Sequence, residues 1–183
     1  MNLLMIRHGE TFSNLKKIYA GRSSERLTKK GELQAKEVSE KLKSYEVHAV
    51  YSSPIQRAIQ TAKVICKTIE KDLLIEDAFR EMELGLWEGF SEKDIARFYP
   101  KEWKLWQHKP AELKLHERET LDGLLNRVLE GIRKIHQTTG DQSIVVVTHV
   151  AIIRVLLLWH TKKSLNFYKT IHVPNAEIFE IKI

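Results

Sequence analysis

Four residues of types that handle phosphate follow predicted strands. Arg7 and His8 come directly after the first strand, Arg57 comes just past the second, and His149 ends a buried strand near the carboxyl end. A neutral imidazole is a nucleophile toward phosphorus, and planar guanidinium groups match phosphoryl oxygens. The nearby arginines disfavour imidazolium and so keep the His8 ring available. These residue types therefore predict phosphoryl transfer through a phosphohistidine.

Two carboxylates are candidates for the proton donor. Glu81 and Glu83 lie in the segment FREMELG, two residues apart. A leaving alkoxide needs a proton, and a carboxylic acid with a raised pKa supplies one. In extended geometry the two side chains share a face, so the residues alone leave the choice between them open.

Strands and helices alternate along the chain. Apolar periodicity predicts strands over 2–6, 47–53, 73–76, 143–149 and 176–183, the last at a sheet edge, and helices over 31–45, 55–71, 92–99, after Pro100, over 121–137 and after His149. Ser53 is the expected N-cap of the second helix, and 9–28 is expected to be a loop. Alternation of this kind predicts a three-layer α/β/α fold with a mostly parallel central sheet.

The strand ends explain how the chemical groups meet. Ligands of open α/β sheets bind outside the carboxyl ends of the strands, and helix N-termini pointing there favour anions. His8, Arg57 and His149 follow three different strands. We therefore expect them at one sheet edge, in a cationic site suited to phosphate.

Composition argues against several other classes of protein. Net charge is +6, but basic and acidic residues are mixed, which does not favour nucleic-acid binding. Neither HExxH nor CxxC is present, so no metal and no cofactor are expected. Cys66, the only cysteine, has the spacing of a buried helix face. The apolar runs are too short or interrupted for a membrane segment, and a cytoplasmic protein is expected.

The motifs resemble a known family. The segment RHGE at 7–10, with Thr11 and Asn14 after it, resembles the signature of the histidine phosphatase superfamily, the phosphoglycerate mutase-like enzymes. It comes with YSSPIQRAIQTA, REMELGLWEG and VVVTHVAIIR in that family's order and spacing. Together these motifs cover nearly the whole chain.

The resemblance implies roles for individual residues. His8 is implied to be the phosphorylated nucleophile, and Glu81 rather than Glu83 the proton donor. The remaining residues that it implies for the phosphate and substrate pocket are Arg7, Asn14, Gly21, Arg22, Arg57, His149 and Val150. No metal is implied.

Three departures from the family pattern concern the substrate. Val150 stands where the family usually has glycine, and a β-branched residue there is expected to narrow the pocket or shift the amide. The family's Gly-Glu-Ser reads Arg118-Glu119-Thr120. Its Asp-x-Pro-Leu-Thr reads SERLT at 24–28, so that Arg22 and Arg26 are candidates to meet a second anionic group. The alternative is that both are solvated loop arginines.

A single domain over 1–183 is expected, with a small helical lid around 90–116. The short lid and the end of the chain after its last strand favour hydrolysis over mutase activity. The compact length and the AGRSSERLT loop resemble α-ribazole phosphatases, and the Val150 departure resembles metal-independent phosphoserine phosphatases. These resemblances imply a small phosphate ester as substrate, with α-ribazole 5′-phosphate first and phosphoserine or a broad range of esters as alternatives. Lid tryptophans can stack on an aromatic substrate or simply pack in the core.

The protein is expected to act as a monomer or homodimer without nucleic-acid or membrane partners.

A non-catalytic phosphate-binding regulatory module is the alternative function from another class of protein. Such relatives lose the nucleophile or the acid, whereas this chain retains both His8 and Glu81.

Overall fold

The computed structural model describes residues 1–183 and is built on one five-stranded sheet in the order β3-β2-β4-β1-β5. Its strands are β1 (Asn2–Arg7), β2 (Ala49–Ser52), β3 (Leu73–Ile75), β4 (Ser143–Thr148) and β5 (Ile178–Lys182). β1 to β4 are parallel, and β5 pairs with β1 in the antiparallel direction at one edge. The predicted mostly parallel sheet, with its last strand at an edge, is confirmed.

Helices connect the strands. They are α1 (Phe12–Lys16), α2 (Lys29–Leu42), α3 (Gln56–Ile69), α4 (Glu92–Phe98), α5 (Pro100–His108), α6 (Leu121–Thr139) and α7 (Val150–His160). Short 3-10 turns lie at 77–79, 85–87, 110–112 and 165–170. No helix is long and apolar enough to cross a membrane.

Two apolar cores cover the two faces of the sheet. Successive strand residues point to opposite faces, so Leu3 and Met5 join one core and Leu4 and Ile6 join the other. The first core is completed mainly by α6 and α7, and the second by α2 and α3. This arrangement confirms the three-layer α/β/α fold. Cys66 is buried in the second core, as its spacing predicted.

Three local predictions were wrong. The segment 9–28 contains α1, which is too short to show periodicity and is made by reciprocal capping between Thr11 and Asn14. α3 begins at Gln56 with Ile55 as its N-cap, and the Ser53 hydroxyl, two residues earlier, accepts the Ile55 N–H at 3.2 Å and lies 2.8 Å from His149 Nε2. The apolar spacing of 31–45 predicts Leu33 on the buried face of its helix, but Leu33 is 57% exposed, since a helix of 3.6 residues per turn places it opposite Ala35.

Two glycines let the chain after β1 pass close to the start of α2. A Cβ on Gly9 would lie 2.4 Å from the Gly31 carbonyl oxygen, and a Cβ on Gly31 would lie 2.2 Å from the Glu10 carbonyl oxygen. Backbone atoms cannot yield as a flexible side chain does. The residues that follow His8 are therefore fixed by this backbone contact.

Replacing Gly31 with alanine is expected to destabilise the fold by about 1–3 kcal/mol, because overpacking outweighs the helix propensity that alanine adds. Gly123→Ala is the matched control. Both glycines donate their N–H to the hydroxyl of an N-cap threonine, at 3.0 Å for Gly31 and 3.1 Å for Gly123, but Gly123 meets only a side chain. Equal urea midpoints for the two variants would show that the approach of Gly31 to the Glu10 backbone is not tight.

The segment expected to form a lid contains α4, α5 and a 3-10 turn. Trp106 of α5 is 2% exposed, and its ring centroid lies 6.1 Å from that of Trp87, which is fully buried. Tyr19 and Trp103 complete the aromatic cluster with edge-to-face contacts. The burial of these rings favours the packing interpretation. The lid itself stays a prediction.

Candidate active site

The ends of β1, β2 and β4 bring the predicted residues together. His8 follows β1, Arg57 lies in the first turn of α3, and His149 is the N-cap of α7. The two imidazole centroids are 5.2 Å apart, and Arg57 Nε lies 3.1 Å from His8 Nε2. The His8 backbone N–H donates to the Thr148 carbonyl at 3.0 Å, which ties the two strand ends together.

Hydrogen bonds define the state of the His8 ring. Its Nδ1 lies 2.7 Å from the Gly9 carbonyl oxygen, which only accepts, so Nδ1 carries the proton. Its Nε2 then accepts from Arg57 Nε–H. Burial lowers the pKa of His8 well below its ordinary value, and Arg57 and Arg7 lower it further. The ring is therefore neutral at pH 7, with an unprotonated Nε2.

Arg57 is a buried cation held by backbone carbonyls. Its Nη1 donates to Ser23 O at 2.9 Å and its Nη2 to Gly21 O at 2.6 Å. Gly21 has φ of 51°, which favours glycine, and it lines the pocket as expected. Burial lowers the pKa of Arg57, whereas Glu81 opposes that shift. The fold thus fixes a guanidinium against the imidazole.

Arg7 borders the same pocket from β1. Its Nη1 donates to Val173 O at 2.6 Å, and its buried Nε has no partner. Burial lowers the pKa of Arg7 to about 10; Glu81 opposes the shift, and Arg154 and Arg57 add to it. Arg7 therefore keeps donor capacity for an anion in the pocket.

His149 is fully buried beside His8. Its Nε2 lies 2.8 Å from Ser53 Oγ, and its Nδ1 has no hydrogen-bond partner. Burial lowers the pKa of His149 well below its ordinary value, with Arg57 as the next cause. A buried imidazole nitrogen without a partner costs free energy unless a ligand supplies one.

The structure separates the two candidate carboxylates. Glu81 is buried in the pocket wall, where its Oε1 accepts the Met82 N–H at 2.7 Å. Burial raises the pKa of Glu81, while that amide, Arg57 and Arg7 act against the rise. Glu83 instead lies outside the pocket and pairs with Arg22 at 3.4 Å. Only Glu81 is therefore both near the histidines and inclined to hold a proton.

The pocket has a volume of about 470 Å³ and includes most of the expected substrate residues. Asn14, Gly21 and Val150 line it. Val150 lies at the first position of α7 without a positive φ, so its backbone does not require glycine. Arg22, Arg26 and His149 do not line the pocket, although the His149 ring is fully buried with its centroid 5.2 Å from that of His8.

No group of three or more His, Cys, Asp and Glu side chains lies close enough to hold a metal ion. The expectations that the reaction uses no metal and no cofactor stay predictions.

Asn175 is a pocket residue that the sequence did not predict. Its Nδ2 donates to the His8 carbonyl at 2.9 Å and to Asn14 Oδ1 at 3.0 Å. Asn14 Oδ1 also accepts the Thr11 N–H at 3.1 Å, so two donors fix the oxygen end of that amide. The Asn14 NH₂ group is left to donate into the pocket. Asn175 lies in a loop without periodicity, and only its amide side chain was a signal.

Replacing Asn175 with alanine is expected to lower kcat/KM for a phosphate ester by about 10- to 100-fold, because Asn14 and the His8 backbone lose their orientation. Asn175→Asp keeps the size but cannot donate to Asn14, and is expected to be as impaired. Steady-state kinetics and Tm are measured for both, with exposed Asn126→Ala as control. Wild-type kcat/KM in Asn175→Asp would contradict this positioning role.

Known proteins share this sequence and fold. Residues 3–183 match the family model described as histidine phosphatase superfamily (branch 1). Phosphoserine phosphatase 1 of Hydrogenobacter thermophilus is 30% identical over 159 residues, which cover 85% of this chain and 74% of the relative.

Two solved structures show the same fold. Bacillus stearothermophilus YhfR has a TM-score of 0.93 at 23% identity, over 100% of this chain and 91% of that one. The α-ribazole phosphatase of Shigella flexneri has a TM-score of 0.85 at 22% identity, over 100% and 95% of the two chains.

The family match extends over nearly the whole chain, and the relatives named as phosphatases support phosphatase activity. The resemblance carried by the RHGE motif and its companions is confirmed. The chain belongs to the histidine phosphatase superfamily.

Proposed function

We propose that the protein hydrolyses small phosphate monoesters through a phosphohistidine at His8. The observation that carries this proposal is the fixed neutral tautomer of His8, with Nδ1–H bound to Gly9 O and Nε2 unprotonated beside Arg57. Such a nitrogen has its lone pair available for phosphorus once the ester replaces the Arg57 contact.

In the first step, His8 Nε2 forms a bond to phosphorus while the bond from phosphorus to the ester oxygen breaks. Glu81 supplies the proton to the leaving oxygen, because burial favours its protonated form. Arg7, Arg57 and Asn14 donate to the phosphoryl oxygens, where charge develops. His149 Nδ1, which has no partner in the protein, is assigned the same role.

In the second step, water attacks phosphorus and the bond to His8 Nε2 breaks. The Glu81 carboxylate left by the first step accepts a proton from this water, so the site returns to its starting state with phosphate released. Proton transfers and bond changes therefore balance without a metal or cofactor.

The segment 90–116 is proposed as the lid over this pocket. Glu92 of α4 and Trp106 of α5 both line the cavity, which supports a cover made from these two helices on one single domain.

The relatives support one of the expected substrates. Phosphoserine is favoured by the name of a relative that is 30% identical over 85% of this chain. The α-ribazole 5′-phosphate expected from the sequence rests on the resemblance of its motifs, because the α-ribazole phosphatase structure at 22% identity shows the fold alone. Phosphoserine is therefore the first ester to test.

The test is phosphate release from p-nitrophenyl phosphate, phosphoserine, 3-phosphoglycerate and α-ribazole 5′-phosphate with chelator present. Turnover that resists the chelator is expected for at least one ester. Binding of these esters without turnover would instead favour the regulatory module, and conversion of 3-phosphoglycerate to its isomer would favour a mutase.

A further inference from the structure

A second group of cations lines the pocket apart from the histidines. It consists of Lys17, Arg154 and Lys169, and none of them hydrogen-bonds to His8, His149 or Glu81. Arg22 and Arg26 were the candidates to meet a second anionic group of the substrate. Neither lines the pocket, whereas Lys17, Arg154 and Lys169 do.

Arg7 and Arg154 are held by carbonyl groups of the same short chain segment. The Val173 carbonyl holds Arg7, and the Ile171 carbonyl holds Arg154 through its Nε at 2.9 Å. The two carbonyls belong to residues two apart in sequence, which spans at most about 7 Å. Lys169 precedes them on the same segment. A small ester bound at Arg7 by its phosphate therefore has Arg154 and Lys169 within reach of its other end.

Positive charge at this end of the pocket is not fully neutralised. Glu92 is the only carboxylate that forms an ion pair with one of these cations, at 3.4 Å from Lys169 Nζ, while Lys17 and Arg154 form no ion pair. Lys169 is only partly exposed, and burial lowers its pKa. An anion bound here would offset the cost of holding the cations away from water.

Resting on the proposed function, we propose that Lys17, Arg154 and Lys169 bind a carboxylate carried by the leaving group. The substrate class is then a phosphorylated hydroxy acid or phosphoamino acid. Lys169 is its main specificity-determining residue, because its Nζ lies 3.4 Å from Glu92 and 5.4 Å from the Trp103 ring centroid, both in the segment proposed as the lid.

The aromatic rings nearby do not offer a stacking platform. Lys169 Nζ lies 5.9 Å from the Trp106 ring centroid, and the Arg118 guanidinium lies 4.3 Å from the same centroid. Arg154 lies 5.0 Å over the Tyr168 ring. Because cations already cover these faces and Trp106 is 2% exposed, an aromatic leaving group gains little here.

Glu92 also argues for a carboxylate over a second phosphate. A phosphate dianion beside Glu92 is repelled more strongly than a singly charged carboxylate. The ammonium group of a phosphoamino acid would in turn find a partner in Glu92.

The test uses pairs of esters that differ mainly in the carboxylate. They are O-phosphoserine against O-phosphoethanolamine, and 3-phosphoglycerate against glycerol 3-phosphate. We expect kcat/KM to be roughly tenfold or more higher for the carboxylate member of each pair, the size of one charge-assisted hydrogen bond.

Variants show whether the named cations cause this preference. Lys169→Met is expected to bring the ratio near one, mainly through a higher KM for the carboxylate ester, and Lys169→Arg to restore most of it. Lys17→Met is expected to reduce the ratio less, because Lys17 is exposed. Lys93→Met, next to Glu92 but exposed outside the pocket, is the control and should keep the wild-type ratio.

Equal kcat/KM within both pairs for the wild type would overturn the inference. So would a wild-type preference that survives both Lys169→Met and Lys17→Met. In either case turnover of the esters would leave the proposed function standing. No release of phosphate from any ester, including p-nitrophenyl phosphate, would instead overturn the proposed function itself.

Discussion

Phosphate release by His8→Ala is expected to fall by about 10⁴- to 10⁶-fold, the loss typical when a nucleophile is removed. The reason is that no other imidazole in the site has an unprotonated nitrogen held in place by a partner on its opposite nitrogen. His149 is the nearest ring, but its Nε2 faces Ser53. A stopped assay of phosphate release at saturating ester measures the loss.

His48→Ala is the control for this substitution, because His48 is exposed and does not line the pocket. It should retain wild-type kcat. If His8→Ala kept more than about 1% of the activity, water would be attacking phosphorus directly and the phosphohistidine route would be wrong.

The second large effect concerns the proton donor. Glu81→Gln is expected to lower kcat/KM by about 10²- to 10⁴-fold for an alkyl ester such as phosphoserine, the range for general acid catalysis. The loss of kcat/KM should be much smaller for p-nitrophenyl phosphate, since p-nitrophenolate leaves readily without a proton. Comparing kcat/KM for the two esters in the variant and the wild type checks the assignment, because kcat also includes hydrolysis of the phosphoenzyme, which is the same step for both esters.

Glu83→Gln is the matched control, because Glu83 is only two residues away but pairs with Arg22 outside the pocket. Its kcat should stay within about threefold of wild type, as expected for an exposed pair. Equal losses of kcat/KM for phosphoserine and p-nitrophenyl phosphate in Glu81→Gln would contradict a role of Glu81 as the acid.

The pH profile of kcat/KM follows from the same two groups. Glu81 must be protonated in the first step, and burial raises its pKa, so the rate is expected to fall as pH rises through that raised pKa. For phosphoserine this fall should be absent from Glu81→Gln, and for p-nitrophenyl phosphate it should be weak even in the wild type, because that leaving group needs no proton. His8 must be neutral to attack phosphorus. Because burial lowers its pKa, kcat/KM should fall on the acid side only at a pH well below the ordinary histidine pKa of about 6.5. An acid-side loss near 6.5 or above would argue against a buried neutral His8.

The positions of His8, Arg57 and His149 were predictable because each follows a strand with a strong apolar pattern. Buried parallel strands are nearly continuous in apolar residues, and their carboxyl ends meet at one edge whatever the details of the loops. The mostly parallel sheet with a core on each face follows from the same patterns, whereas the order of its strands was not predicted.

Two of the pocket residues that were missed lie where no periodicity exists. Asn175 and Lys169 come from the irregular segment between α7 and β5, and a polar residue in such a segment has no pattern that separates it from solvated neighbours. Arg22 is the opposite case, a residue that was predicted to contact substrate but does not line the pocket. Its charge suggested a substrate contact, but its Nε donates to the Glu81 carbonyl and its Nη1 pairs with Glu83.

The most direct test of the account is to trap the phosphoenzyme. Wild-type protein is mixed with a labelled ester in the presence of chelator, quenched within one turnover at alkaline pH, and digested for mass spectrometry. We expect a phosphoryl group on His8 that is lost in acid and is absent from His8→Ala. It should form at least as fast as the enzyme turns over. Phosphate release with no labelled histidine, or a label on His149 alone, would contradict it.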